Sequence, residues 1–250
     1  MIRNTLAAAV TLLLLAGPVH AQIVDTLAGF AHDDRGWSGG LGAAVATSGG
    51  NTERFDLSSA GRVQWASDDD RWRGLGAYGR ATSRDETISE SAFAHLRQNH
   101  RLTDRWWTLA FVQFAHEPFQ KLSSRVLVGA GARLSLRVEE GRRIAVGAAP
   151  MLEWETLEGA GASDLDTRLS TFLDLETPLG EAVTLAATGF AQPRWEDLGD
   201  LRAVVNARLT VELADQLDLV IGGSYAHDAN PPEDVRSDDW SLRTGLELSL

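Results

Sequence analysis

The 250-residue chain has no cysteine, which excludes disulfides and thiolate metal sites. Lysine is almost missing as well. Lys121 is the single one, so arginine supplies the rest of the 23 basic side chains. Basic groups are outnumbered by 35 acidic ones, for a formal net charge of -12. That balance excludes a general nucleic-acid binder, because neutralising phosphates requires clustered Lys and Arg. After the first 21 residues there is no apolar run approaching the roughly 20 residues of a membrane helix. Mean hydropathy is only -0.15. Neither a Gly-x-Ser-x-Gly elbow nor a His-Glu-x-x-His motif occurs.

What is present begins with a secretory signal peptide over 1–21. Arg3 gives the positive start, Thr5 to Gly17 the short apolar run, and Val19 and Ala21, either side of His20, the small residues of a cleavage site. The run is too short for a membrane anchor, and Pro18 closes it. Residues 22–35 form a weakly patterned periplasmic lead-in.

Residues 36–250 are organised differently, as alternating runs separated by turn clusters. Trp240 to Leu250 is the cleanest. Trp240, Leu242, Thr244, Leu246, Leu248 and Leu250 share one face, and Ser241, Arg243, Gly245, Glu247 and Ser249 share the other. This period of two marks a strand between apolar and polar surroundings. Leu201–Leu213 repeats the pattern with one exception, Val204 on the polar face. Leu165–Glu176 places Phe172 among polar residues. Val126–Val138 and Phe55–Trp65 alternate likewise. The runs around 71–82, 89–101 and 106–117 give no clear face.

About twelve such runs are expected, each near the ten residues of a tilted membrane strand. The links at 67–70, 102–105, 139–141, 178–181 and 214–216 read as tight turns. Those at 83–89, 118–123, 157–164 and 228–239 read as longer loops, with the short Ser48–Thr52 link as an exception. Short turns at one end and longer loops at the other is the outer-membrane arrangement. Trp37, Trp65, Trp72, Trp106, Trp107, Trp154, Trp195 and Trp240 lie near run ends, as an interfacial girdle requires. The expected fold is an all-β, transmembrane, up-and-down antiparallel barrel. A soluble β-sandwich or periplasmic binding barrel also alternates, but soluble strands are shorter, about five to six residues.

Gly36-Trp-Ser-Gly-Gly-Leu-Gly-Ala-Ala-Val-Ala-Thr-Ser-Gly-Gly-Asn-Thr52 resembles the opening strand and turn of the salt-induced outer-membrane proteins, a domain family of unknown function of the 481 type. Leu102-Thr-Asp-Arg-Trp106, Ser124 to Gly131 and Thr244-Gly-Leu-Glu-Leu248 are similar to that family too. The resemblance implies an outer-membrane barrel and no established activity.

The expected partners are outer-membrane lipids, lipopolysaccharide and the barrel-assembly machinery. No nucleic acid and no cofactor is expected, and the chain should be a monomer. Candidate lumen charges are Arg133, Arg137, Glu153, Arg168, Asp174, Glu176, Arg194, Arg202, Arg208, Glu212, Arg243 and Glu247. They suit a constricted channel or a cross-linked plug. Glu153 and Glu155 share a face and are expected to pair with Arg133 and Arg168. His95 and His116 lie on neighbouring strands and could approach each other, but with no partner pattern around them they are expected to be ordinary polar positions of the lumen or loops. The acidic loop Asp228–Asp234 with Asp238-Asp239 offers oxygen ligands but not the spacing of a Ca²⁺ loop.

The leading expectation is a non-enzymatic barrel with a narrow pore or a structural role in envelope and osmotic stress. The alternative is an outer-membrane hydrolase acting on lipid or lipopolysaccharide, its triad scattered over strands.

Overall fold

The computed structural model describes residues 35–248, apart from 52, 138–141 and 161. The expected signal peptide, the lead-in up to residue 34 and the Glu139–Gly141 turn lie outside the described residues. Twelve strands follow: β1 (Gly36–Ser48), β2 (Arg54–Ala66), β3 (Asp70–Ser83), β4 (Glu86–Arg101), β5 (Trp106–Glu117), β6 (Leu122–Arg137), β7 (Arg143–Leu157), β8 (Asp164–Pro178), β9 (Val183–Pro193), β10 (Leu201–Ala214), β11 (Leu217–Asp228) and β12 (Asp238–Leu248). A 3-10 turn, Pro118–Gln120, is the single helical element among the described residues.

Each strand pairs antiparallel with its neighbour in sequence, giving one sheet ordered β1 to β12. The fold is therefore all-β, up-and-down, with twelve strands. The sheet curls until distant strands meet inside: Arg202 of β10 reaches Glu153 of β7, and Arg97 of β4 lies 4.9 Å over the Phe172 ring of β8. Among the described residues no ladder joins β1 to β12, so each of these two presents one strand edge.

Alternation dictates the two faces. Val128, Leu152, Leu173, Val205 and Leu246 point outward and are exposed, Leu246 at 66%. Arg73, Arg97, Glu153 and Arg168 point inward and are buried. Trp37, Trp65 and Trp72 stand opposite one another in a single outer row at the short-turn end. Trp107 departs from the expected girdle. It is buried and faces inward, with the Arg71 guanidinium 5.3 Å from its ring.

The β3–β4 link also departs from expectation. It is not a long loop but two residues, Arg84 and Asp85, with φ of 49° and 64°. Positive φ at both central positions is the type I′ geometry whose twist suits a hairpin.

Candidate functional site

The interior divides into layers. In the middle an apolar cluster joins Leu109, Ala149, Phe172, Phe190, Val204 and Ala226, with Phe111 packed against it. Val204 and Phe172, apolar residues on otherwise polar faces, thus belong to the core inside the barrel. His95 lies between Phe93 and Phe111 with ring centroids 6.4 and 5.8 Å away, and its Nδ1–H donates to Gln113 Oε1 at 3.2 Å. A cavity of about 20 Å³ borders His95, Gln113, Ser170 and Gln192. That is room for about one water molecule. This part of the barrel is a packed core.

Above it, towards the loop end, lies a plate of ion pairs. Glu153 is its hub. Its carboxylate takes Arg168 Nε at 2.5 Å, Arg125 Nε at 3.0 Å and the Arg202 guanidinium. Glu155 takes Arg125 at 2.5 Å and Arg202 at 3.1 Å. Arg168 continues to Asp200 at 2.9 Å, and Arg202 to Asp228 at 2.9 Å. Arg168 also donates to the carbonyls of Gln192 and Asp200, at 3.1 Å each. Arg194 adds Asp166 at 2.9 Å. Every buried charge here has several partners, which is the condition for ionic groups in a low-dielectric interior.

The candidate charges fall into groups. Glu153, Arg168, Arg194 and Arg202 join this plate. Arg133 pairs with Asp174 at 3.5 Å, not with Glu153, because it sits near the short-turn end of β6. Glu176 pairs with Arg143 at 2.5 Å, and Arg208 with Glu247. Arg243 stands in register with Gly222, and Glu212 with Asp218. The Arg137 side chain lies outside the described residues. Arg125 is not legible in the alternation because it stands just outside the regular run that starts at Val126. Asp200 is not legible either, because it sits in the loop between β9 and β10 and has no period.

His95 and His116 do not meet. His95 faces inward opposite Gln113, whereas His116 is on the other face of β5, donating to the Ser123 carbonyl at 2.6 Å. β4 and β5 are neighbours, but the register pairs His95 with Gln113 and His116 with Ala92, an odd offset that puts the two histidines on opposite faces. At the loop-end rim Asp238 accepts from Ser237 Oγ at 2.8 Å and Tyr225 Oη at 2.5 Å, with His227 Nδ1 at 2.9 Å. Here the serine bonds the carboxylate. A nucleophilic relay needs the serine on the imidazole. Among the described residues no cluster has a metal-ligand arrangement, and Asp228 of the acidic loop is bound to Arg202.

The inner wall is not uniform. On β6 and β7 the glycines are filled in. A Cβ on Gly129 would lie 2.6 Å from the Phe111 ring, and one on Gly147 would lie 2.3 Å from the Phe172 ring. On β1, β11 and β12 a Cβ at Gly40, Gly222 or Gly245 would meet nothing within 4 Å. One side of the barrel is packed and the other is lined by small residues with space in front of them.

Residues 41–250 match the sequence family described as protein of unknown function, DUF481. The chain belongs to this family. No curated protein matches the DUF481 chain. Among solved structures it is similar to the NanC porin, with a TM-score of 0.48 at 12% identity over 85% of this chain and 99% of that one. It is also similar to the translocator domain of the autotransporter NalP from Neisseria meningitidis, with a TM-score of 0.43 at 14% identity over 88% and 90%. The β domain of the Bordetella autotransporter BrkA gives a TM-score of 0.38 at 13% identity over 86% and 98%.

Proposed function

We propose that the chain is an outer-membrane barrel with a narrow, off-centre water path along the inner walls of β11, β12, β1 and β2. The outer surface supports the membrane part of this reading. It presents Trp37, Leu41, Val112, Val128, Leu152, Leu173 and Leu246 as exposed, with Val112, Val128 and Leu152 in register across β5, β6 and β7. A soluble monomer rarely exposes patches beyond a few hundred Å². Hydrocarbon is the solvent such a face suits, and closed strands are the only alternative to helices there. The short turns then lie on the periplasmic side and the loops outside.

The observation that carries the path is the contrast between glycines. Space stands in front of Gly40, Gly222 and Gly245, while Phe111 and Phe172 fill the space over Gly129 and Gly147. With the core cluster and the ion plate closing one side, only the small-residue side has room for solute. Charges of both signs border that wall, where Arg54 pairs with Asp56 on β2 and Glu247 of β12 pairs with Arg208 of β10, and suit small hydrated solutes of either charge.

Planar-bilayer recording tests the reading. Purified protein should give discrete conductance steps, and Gly222→Trp should lower them at least twofold while Val146→Trp, on the outer face, leaves them unchanged. Silence of the folded protein across salts and voltages would overturn it. Recovery in the soluble periplasmic extract and not in the membrane pellet would overturn the location.

A further inference from the structure

The β11–β12 loop, residues 229–237, does not stand upright at the rim. Its base is tied to the barrel: Asp228 N–H donates to the Ser237 carbonyl at 2.8 Å, Ala229 N–H to the Leu201 carbonyl at 3.0 Å, and Asn230 N–H to Asp228 Oδ1 at 3.0 Å. Asp228 is itself held by Arg202, so the loop springs from the ion plate. Its tip is stiff. Pro231 and Pro232 fix the chain, Val235 N–H closes a turn on the Pro232 carbonyl at 3.0 Å, and Asp234 takes the left-handed conformation with φ of 65°.

That tip meets Lys121, the single lysine of the chain. Its Nζ donates to the Glu233 carbonyl at 2.5 Å and to Asp234 at 3.2 Å. Lys121 is positioned for this. It ends the Pro118–Gln120 turn with φ of 56°, its N–H donating to Pro118 and its carbonyl accepting from Glu158 N–H at 2.8 Å. The β5–β6 and β11–β12 hairpins are six strands apart in a twelve-strand order, half the circumference. The contact therefore crosses the mouth. Residues 229–233 span at most about 17 Å when extended, so the loop must lie across the opening to reach.

We propose that residues 229–237 are a strap over the loop end, latched by Lys121, that limits access to the open wall of β11, β12, β1 and β2. The proposal rests on the reading of that wall as a water path. From the strand order, the ion plate covers the loop end of β6 to β10, and the strap, springing from Asp228 at the end of β11, runs along its border with the open side. The latch pair is solvent-exposed, with side chains 40% and 84% accessible. A pair in that setting is weak and screened by salt, which lets the strap release without disturbing the plate.

The chain has no cysteine, so a single introduced thiol reports access cleanly. Ala44→Cys places one on the inner face of β1 near the loop end, paired with Ser58. Its labelling by a hydrophilic maleimide is compared in three backgrounds: unaltered, Lys121→Glu, and a chain shortened by deleting 231–235. The latch variant should label at least fivefold faster and the shortened chain at least as fast again. Folding of each is checked by its heat-dependent gel mobility. Equal rates in folded unaltered and latch-variant barrels overturn the strap. Faster labelling without conductance in any of them upholds the strap and overturns the pore.

Discussion

Arg168 and Glu153 meet on neighbouring strands with Nε 2.5 Å from Oε2, and each is only 1% exposed. Two ions taken this far from water are stable only because each is multiply bonded. Glu153 also serves Arg125 and Arg202, and Arg168 also serves Asp200 and the Gln192 carbonyl. Breaking such a group from one side leaves the partners desolvated and unmatched.

Glu153→Gln should therefore destabilise the barrel by about 3 kcal/mol, the low end for breaking a buried pair, since Glu155, Asp200 and Asp228 remain. Arg168→Lys keeps the charge but cannot reach three partners at once, and should cost about 1.5–3 kcal/mol. Urea unfolding of the reconstituted protein measures both. An unchanged midpoint for Glu153→Gln would mean the plate is wet and not a plug.

The two kinds of glycine should respond oppositely to one methyl group. Gly147→Ala forces a Cβ to within 2.3 Å of the Phe172 ring. Overpacking of this kind costs about 1–3 kcal/mol. Gly222→Ala has nothing within 4 Å to strike and should change stability by less than about 0.5 kcal/mol. Similar losses for both would remove the distinction between packed and open walls.

Most of the fold was legible because a period of two is hard to disguise on β6, β8, β10 and β12. The faces assigned there hold, with Val128 and Leu246 outward and Arg168 and Arg202 inward. The apparent errors in the pattern were informative. Val204 and Phe172 break the polar face because they build the core inside. The same cause blurred β3 to β5. There Phe93, Leu109 and Phe111 face inward while Trp72, Leu96 and Val112 face outward, so both faces are apolar and the alternation disappears. The ion plate was legible only in part. Glu153, Arg168 and Arg202 lie on periodic strands, but Asp200 and the strap latch are contacts between distant loops, which local pattern does not encode.

The strand edges of β1 and β12 make a separate prediction. Each has unpaired backbone groups on one side among the described residues, and the two run antiparallel. In hydrocarbon an unsatisfied N–H or C=O costs several kcal/mol, so in the membrane the two edges should pair with each other. Amide hydrogen exchange of the membrane-embedded protein should show β1 and β12 as protected as β5 and β6. Fast exchange along both edges would show that the seam stays open.

The most direct test of the central claim uses single cysteines in this cysteine-free chain. Spin labels at Val128 and Leu246 in proteoliposomes should be accessible to oxygen and hidden from a water-soluble relaxation agent. Labels at Gly222 and Ala44 should show the reverse. If the Gly222 and Ala44 labels are buried from both agents, there is no water path. If those at Val128 and Leu246 meet the water-soluble agent, the apolar face does not contact lipid and the barrel reading of the surface is wrong.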